Sequence, residues 1–228
     1  MKPADEIYSI YAKAYDAILP KTRCYQELVQ ETVSALEGKK TILDAGVGTG
    51  LVTMSLNHPG RTVYGIDINE SMLAKAAEKV KQNQAGSRVF LSLQDINDLS
   101  FPDAFFDGVA CLNVLYHTYD YRTPLKELAR VSKNGAVLVL SGPNLRFHRE
   151  NFLTHVLEEF AEKEDPRQYC PDLGIVVEST LKLAKTRIKH CISAEKMAAV
   201  LQEIGFHQII TAHDDAYYGN SYFVAAEK

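Results

Sequence analysis

Residues 41–53 read Thr41-Ile42-Leu43-Asp44-Ala45-Gly46-Val47-Gly48-Thr49-Gly50-Leu51-Val52-Thr53, and this stretch constrains the fold more than any other. A β-branched and aliphatic run meets an acid, three glycines follow at alternate positions, and a helix-compatible segment comes next. Strand, tight turn and helix start, in that order, open a nucleotide pocket in α/β proteins. The turn demands unusual φ/ψ, and a Cβ would hold a ligand away from the backbone. The spacing Gly-x-Gly-x-Gly departs from the dinucleotide fingerprint Gly-x-Gly-x-x-Gly. Asp44, two residues before Gly46, also argues against a pyrophosphate, because a carboxylate repels phosphate and attracts a cation. A ligand with a ribose, a positive charge and no phosphate fits better.

The next strand, Arg61-Thr62-Val63-Tyr64-Gly65-Ile66-Asp67, ends on an acid 21 residues after Gly46. That separation suits a carboxylate accepting both ribose hydroxyls. Asp67 could instead cap the following helix, but Asn69 and Ser71 are better placed for that. Ile68 and Met72 would then lie against an adenine. S-adenosylmethionine, with its ammonium and sulfonium groups, is a ligand of this kind.

With these residues in place, the chain resembles the class I S-adenosylmethionine-dependent methyltransferases, in particular the small-molecule branch. Tyr8, Ala12, Tyr15 and Asp16 also match the family pattern of an N-terminal helix lying over the cofactor. The resemblance implies an α/β fold: a Rossmann-like, seven-stranded, mostly parallel sheet with helices on both faces. It further implies a C-terminal antiparallel hairpin and an insertion after the fifth strand that forms a cap. Residues 1–228 would make a single domain, with helices over the cofactor in 1–37 and a substrate cap in 142–190. The turn residues Asp44, Ala45, Gly46, Gly48 and Gly50 would bind the cofactor. After the third strand (Arg88–Leu93), Asp95 would accept the adenine amino group and the Ile96 N–H would meet the ring, with Asp98 a competing acid. Asn113, at the end of the fourth strand, would contact the cofactor through its backbone.

The N-terminal segment 5–19 carries Ile7, Tyr8, Ile10, Tyr11, Ala14, Tyr15, Ile18 and Leu19 at helical spacing. Its tyrosines either pack on the core or close the cofactor pocket, Tyr15 being the preferred pocket residue and Tyr11 a substrate candidate. Helices are expected near 22–37, 70–82, 122–132 and 194–204, and the hairpin over His207–His213 and Tyr222–Ala226. In the insertion, Phe147, Phe152, Val156, Leu157 and Phe160 mark an amphipathic helix, and Tyr169-Cys170-Pro171-Asp172-Leu173-Gly174 reads as a turn. Phe147, His148, Arg149, Phe152, His155 and Tyr169 are the substrate-contact candidates there. Lys182, Lys185, Arg187 and Lys189 form either a solvated helix face or a patch for an anionic acceptor.

Where strand order reverses beside the fourth strand, residues 113–118 would sit near the transferable methyl. Tyr116 is a substrate candidate. His117 is the candidate general base, with packing inside the turn as its alternative role. The reaction expected is methyl transfer to an O, N or C atom of a small molecule by in-line displacement.

Composition narrows the alternatives. A net charge of −4 gives no electrostatic reason to expect nucleic acid or an anionic membrane, and Asn113-Val114-Leu115-Tyr116 lacks the Asn-Pro-Pro-aromatic motif of nucleic-acid methyltransferases. No apolar run has the length of a membrane span, and the N-terminus shows no signal-peptide pattern. The four cysteines, Cys24, Cys111, Cys170 and Cys191, are scattered and none forms Cys-x-x-Cys. A cytoplasmic monomer or homodimer without a metal is expected. A cofactor-binding protein that transfers no methyl, a nucleic-acid methyltransferase and a dehydrogenase are the competing readings.

Overall fold

In the computed structural model, residues 12 and 14–228 are described, with only the backbone given for 179–187. Tyr8 and Tyr11 lie outside the described residues. So do the side chains of Lys182, Lys185 and Arg187.

The strands are β1 (Thr41–Ala45), β2 (Thr62–Asp67), β3 (Val89–Leu93), β4 (Phe106–Leu112), β5 (Ser132–Pro143), β6 (Gln208–Asp215) and β7 (Ser221–Glu227). They form one sheet in the order β3-β2-β1-β4-β5-β7-β6. The first five run parallel, and β7 joins antiparallel to both β5 and β6. Sequence order reverses between β1 and β4, so the crevice opens above their carboxyl ends.

Among the described residues, the helices are α1 (14–18), α2 (Arg23–Ala35), α3 (Leu51–Leu56), α4 (Glu70–Gln82), α5 (Arg122–Val131), α6 (Arg149–Ala161), α7 (Cys170–Arg187) and α8 (Ala194–Glu203), the last three lying between β5 and β6. Local chemistry explains their starts. Asn69 accepts the Met72 N–H at 3.1 Å, and Glu70 and Lys79/Lys81 complement the α4 dipole. Ser193 caps α8 in the same way. The segment 169–174, expected as a turn, is instead the start of α7. Pro171 sits in the first turn, where its missing N–H costs nothing, and Asp172 faces the positive helix end.

Alternation along the central strands sends successive side chains to opposite faces. Leu43, Val109 and Leu138 join Leu128, Met197 and Phe206 on one side. Ile42, Ala110 and Val139 join Leu28, Leu36 and Phe223 on the other. A third cluster sits apart from the sheet and links the N-terminal segment to the insertion: Ala14 and Ile18 of α1 pack with Val156 and Phe160 of α6 and Leu173 and Val176 of α7.

The glycine turn is locked against the β4 exit. Gly46 has φ +86°, and a Cβ placed on it would stand 2.2 Å from Val114 Cγ2. Gly46→Ala should therefore destabilise the fold by about 2–5 kcal/mol, combining left-handed strain with overpacking. Gly48 also has positive φ but nothing within 4 Å of an added Cβ, so Gly48→Ala should cost only about 1–2 kcal/mol. Chemical denaturation of the two variants checks the difference.

Candidate functional site

The carboxyl ends of β1, β2, β3 and β4, with α1, α2, α6, α7 and the turn before β7, enclose a cavity of about 1140 Å³. Its floor is backbone. The N–H groups of Gly46 and Val47 both donate to the Ile66 carbonyl at 2.8 Å. The Gly48 N–H donates to Asp67 Oδ2 at 2.8 Å and the Asn69 N–H to Asp67 Oδ1 at 2.9 Å. One carboxylate thus ties the glycine turn of β1 to the α4 cap after β2. Each oxygen keeps a lone pair for a further donor, and Asp67 lies on the cavity.

The site is electronegative. Asp67, Glu70 and Asp95 line the cavity, and no lysine or arginine does among the described residues. Behind the turn, Asp44 is fully enclosed and accepts a 2.5 Å hydrogen bond from Thr53 Oγ1. Burial pushes its carboxyl up to about 6; the Thr53 bond opposes this, and the nearby Asp67 charge adds to it. Burial likewise raises Asp67, against the pull of its backbone donors. A buried Asp44 behind a partly buried Asp67 favours a cation in front of them and disfavours phosphate. Together with the open face of Gly48, this fits a sulfonium nucleoside.

Of the expected cofactor residues, Tyr15, Gly46, Gly48, Asp67, Ile68, Met72, Asp95, Ile96 and Asn113 line the cavity. Asp95 lies on it and Asp98 does not, because Asp95 folds into a local turn that accepts the Asn97 N–H at 2.9 Å. Ile68 is 70% exposed, an apolar side chain held open at the cavity mouth. Asp44, Ala45 and Gly50 stand behind the surface: Asp44 acts through its field, Ala45 is core, and Gly50 precedes α3 against Ala76. Asn113 adopts φ +58°, and its N–H bonds the Ser141 carbonyl at 2.8 Å.

On the other side, Tyr116, His117, Phe147 and Phe152 line the cavity. His117 closes a 3₁₀ turn over Leu115–His117 and sits 4.0 Å, centroid to centroid, from the Tyr116 ring. Arg149 and Tyr169 are not on the cavity. Tyr169 packs edge-on against Phe160 under the Lys21 ammonium, on the outside of the cap. His148 and His155 also miss it; His155 is turned outward against Tyr218.

The sequence reading did not single out Thr49, Tyr25, Leu28, Tyr217 or Asn220 as pocket residues, yet all line the cavity. Nor did it foresee the clamp that holds α1 down. Thr49 Oγ1 donates to Asp16 Oδ1 at 2.5 Å, Lys79 pairs with Asp16 Oδ2, and Lys79 Nζ donates to the Thr49 carbonyl at 2.9 Å. Asp16 in the N-terminal pattern was the available signal; its partners are 33 and 63 residues away.

Residues 43–140, from β1 through β5, match the family model described as a methyltransferase domain. This covers every strand that builds the glycine turn and the switch point. Over that stretch the chain is similar to the methyltransferases. It is similar to the ubiquinone/menaquinone biosynthesis C-methyltransferase UbiE of Geobacter sulfurreducens, 25% identical over 195 residues, covering 82% of this chain and 72% of that one. It is also similar to a ubiquinone biosynthesis O-methyltransferase of Coxiella burnetii, 33% identical over 112 residues, covering 49% and 47% of the two chains. The chain therefore spans only about half the length of that second relative. In fold it is similar to the [4+2]-cyclase SpnF, with a TM-score of 0.70 at 16% identity, covering 99% of this chain and 94% of that one. No described helix is long and apolar enough to cross a membrane.

The buried acid gives the protein a pH signature. Because the folded-state pKa of Asp44 is raised, its ionisation opposes folding: its contribution to stability is fully present below the ordinary value of 3.8 and is lost as pH rises through about 6. Asp44→Asn can still accept from Thr53 and should stabilise the ligand-free protein at pH 8 by up to ~3 kcal/mol. S-adenosylmethionine affinity should show the opposite trend, rising from pH 5 to 7 in the native protein and flattening in the variant. Calorimetric titrations and melts across that range check both.

Proposed function

We propose that this methyltransferase transfers the methyl group to a small, uncharged acceptor seated between the β4 exit and the cap formed by α6 and α7. The observation that carries the reading is how charge is distributed around the cavity. Its acids, Asp67, Glu70 and Asp95, follow β2 and β3, whereas the opposite side presents Phe147, Phe152, Val176, Ile188 and Tyr217. A polyanionic acceptor finds no described cation there, in keeping with the net charge of −4. The two ubiquinone-biosynthesis relatives, one named as a C- and one as an O-methyltransferase, support a small organic acceptor without selecting the atom.

On this reading Asp67 holds the ribose, Asp95 and the Ile96 N–H meet the adenine, Ile68 and Met72 sandwich it, and Tyr15 closes the pocket from α1. When bound, the cofactor supplies an activated methyl on a neutral leaving group. The protein's main task is then alignment, which can contribute on the order of 7–11 kcal/mol. Asn113 and Val114 fix the β4 exit against the glycine turn, and the α1 clamp excludes water. His117, the one imidazole among the described lining residues, takes the acceptor proton at a ring nitrogen when the acceptor is an alcohol, phenol or carbon acid.

A second reading has a specific observation behind it. A similar frame belongs to the [4+2]-cyclase SpnF, so a cofactor pocket can serve other chemistry. Isotope transfer from methyl-labelled S-adenosylmethionine into a neutral metabolite pool separates the two readings.

At about 100 times its dissociation constant, S-adenosylmethionine should add roughly 2.7 kcal/mol of stability, and NAD should add none. His117→Ala should lower turnover by about 10²–10⁴-fold and leave that thermal shift intact. Loss of the shift would make His117 a structural residue.

A further inference from the structure

The turn joining β6 to β7 holds two consecutive tyrosines in the left-handed region: Tyr217 at φ 51° and Tyr218 at φ 54°. Each costs an L-residue roughly 1–2 kcal/mol. Such backbone persists only where its surroundings impose it, and here they do. Asn220 Nδ2 donates to the carbonyls of Tyr217 and Tyr218, both at 3.2 Å, and Asn220 Oδ1 accepts the His148 N–H at 2.9 Å. Asn144 Nδ2 reaches the Asp214 and Gly219 carbonyls at 2.8 and 3.0 Å. Tyr218 Oη pairs with Glu159 of α6, which also accepts the Arg23 N–H.

The result of this bracing is the placement of one ring. Tyr217 is 8% exposed, lines the cavity, and lies near-parallel to Phe152 of α6, 5.8 Å apart at 29°. Tyr25 and Leu28 of α2 back the same cluster. Phe147 and Tyr116 complete an aromatic side on the cavity, and the described lining contributes no charged group there. Flat apolar walls with quadrupolar faces select a flat π-system over a saturated body of equal volume.

We infer that the acceptor is a planar, uncharged aromatic molecule, and that Tyr217 and Phe152 are the residues that select it. This rests on the methyltransferase reading given above.

The test uses the full chain saturated with S-adenosylhomocysteine, titrated calorimetrically with 2-naphthol, with its saturated counterpart decahydro-2-naphthol, and with the anion 2-naphthoate. 2-Naphthol should bind saturably and more tightly than the other two. Tyr217→Leu and Phe152→Leu should each weaken it roughly two- to tenfold, the range of an aromatic pair, and Tyr217→Phe should retain it. Phe152 sits on a regular helix, so Phe152→Leu keeps the test open if Tyr217→Leu does not fold. Equal binding of the saturated alcohol, tighter binding of the naphthoate, or unchanged naphthol affinity in Phe152→Leu overturns the inference. S-adenosylhomocysteine affinity is read first in each protein. Its absence from the native chain would overturn the methyltransferase reading itself; its presence with no naphthol binding would overturn only the aromatic acceptor.

Discussion

The carboxylate of Asp67 is the interaction on which the donor side depends. It closes β2, bonds the Gly48 N–H of the turn after β1, and bonds the Asn69 N–H that begins α4. The turns that follow two parallel strands are thereby fixed to one side chain. Partly withdrawn from water and near the fully buried Asp44, it sits where a second negative charge is unfavourable. The fold accepts that repulsion and in return holds a field aimed at the cavity. A cation entering there relieves it, so the feature that costs the ligand-free protein stability is one that favours a cationic ligand.

Closure rests on a different kind of contact. α1 joins α6 and α7 through Ala14, Ile18, Val156, Phe160, Leu173 and Val176, and joins the glycine turn through Asp16, Thr49 and Lys79. The N-terminal segment therefore touches both halves of the site. Movement of α1 away from Thr49 would carry its apolar face off α6 and α7 as well.

The donor side was legible in the sequence because it is written in local spacing. Gly46, Gly48 and Gly50 follow directly from the strand that places them, and the distance from Gly46 to Asp67 is one strand-turn-helix-strand unit. Asp95 and His117, which line the cavity, are read by the same logic from the ends of β3 and β4. The acceptor side was only half legible. Phe147 and Phe152 were picked from helical spacing, yet Arg149 and Tyr169, neighbours on the same insertion, miss the cavity. Which face of α6 points inward is decided by α1 and by the turn at 216–220, and neither is near it in sequence. The same holds for the Tyr169–Gly174 segment. Proline and glycine in one short run suggest a turn, but Pro171 in a first helical turn is favourable, and Leu173 and Val176 gain burial against Phe160 only if the helix forms.

This asymmetry has a physical origin. The donor side is made largely of backbone groups, N–H and C=O of Gly46, Val47, Gly48 and Ile66, positioned by sheet geometry. The proposed acceptor side is made of side chains carried on inserted helices and on a turn with two tyrosines in left-handed conformation, so it can change while the sheet stays the same. Similarity in fold to SpnF at 16% identity is what such a division allows: a shared frame over nearly the whole chain, with its chemistry set by the few rings and polar groups above β4 and β5. Tyr217 matters for that reason. A chain that sustains strained backbone to present one ring is specifying what sits against that ring, and the strain lies on the acceptor side of the cavity, away from the donor side already fixed by the glycines.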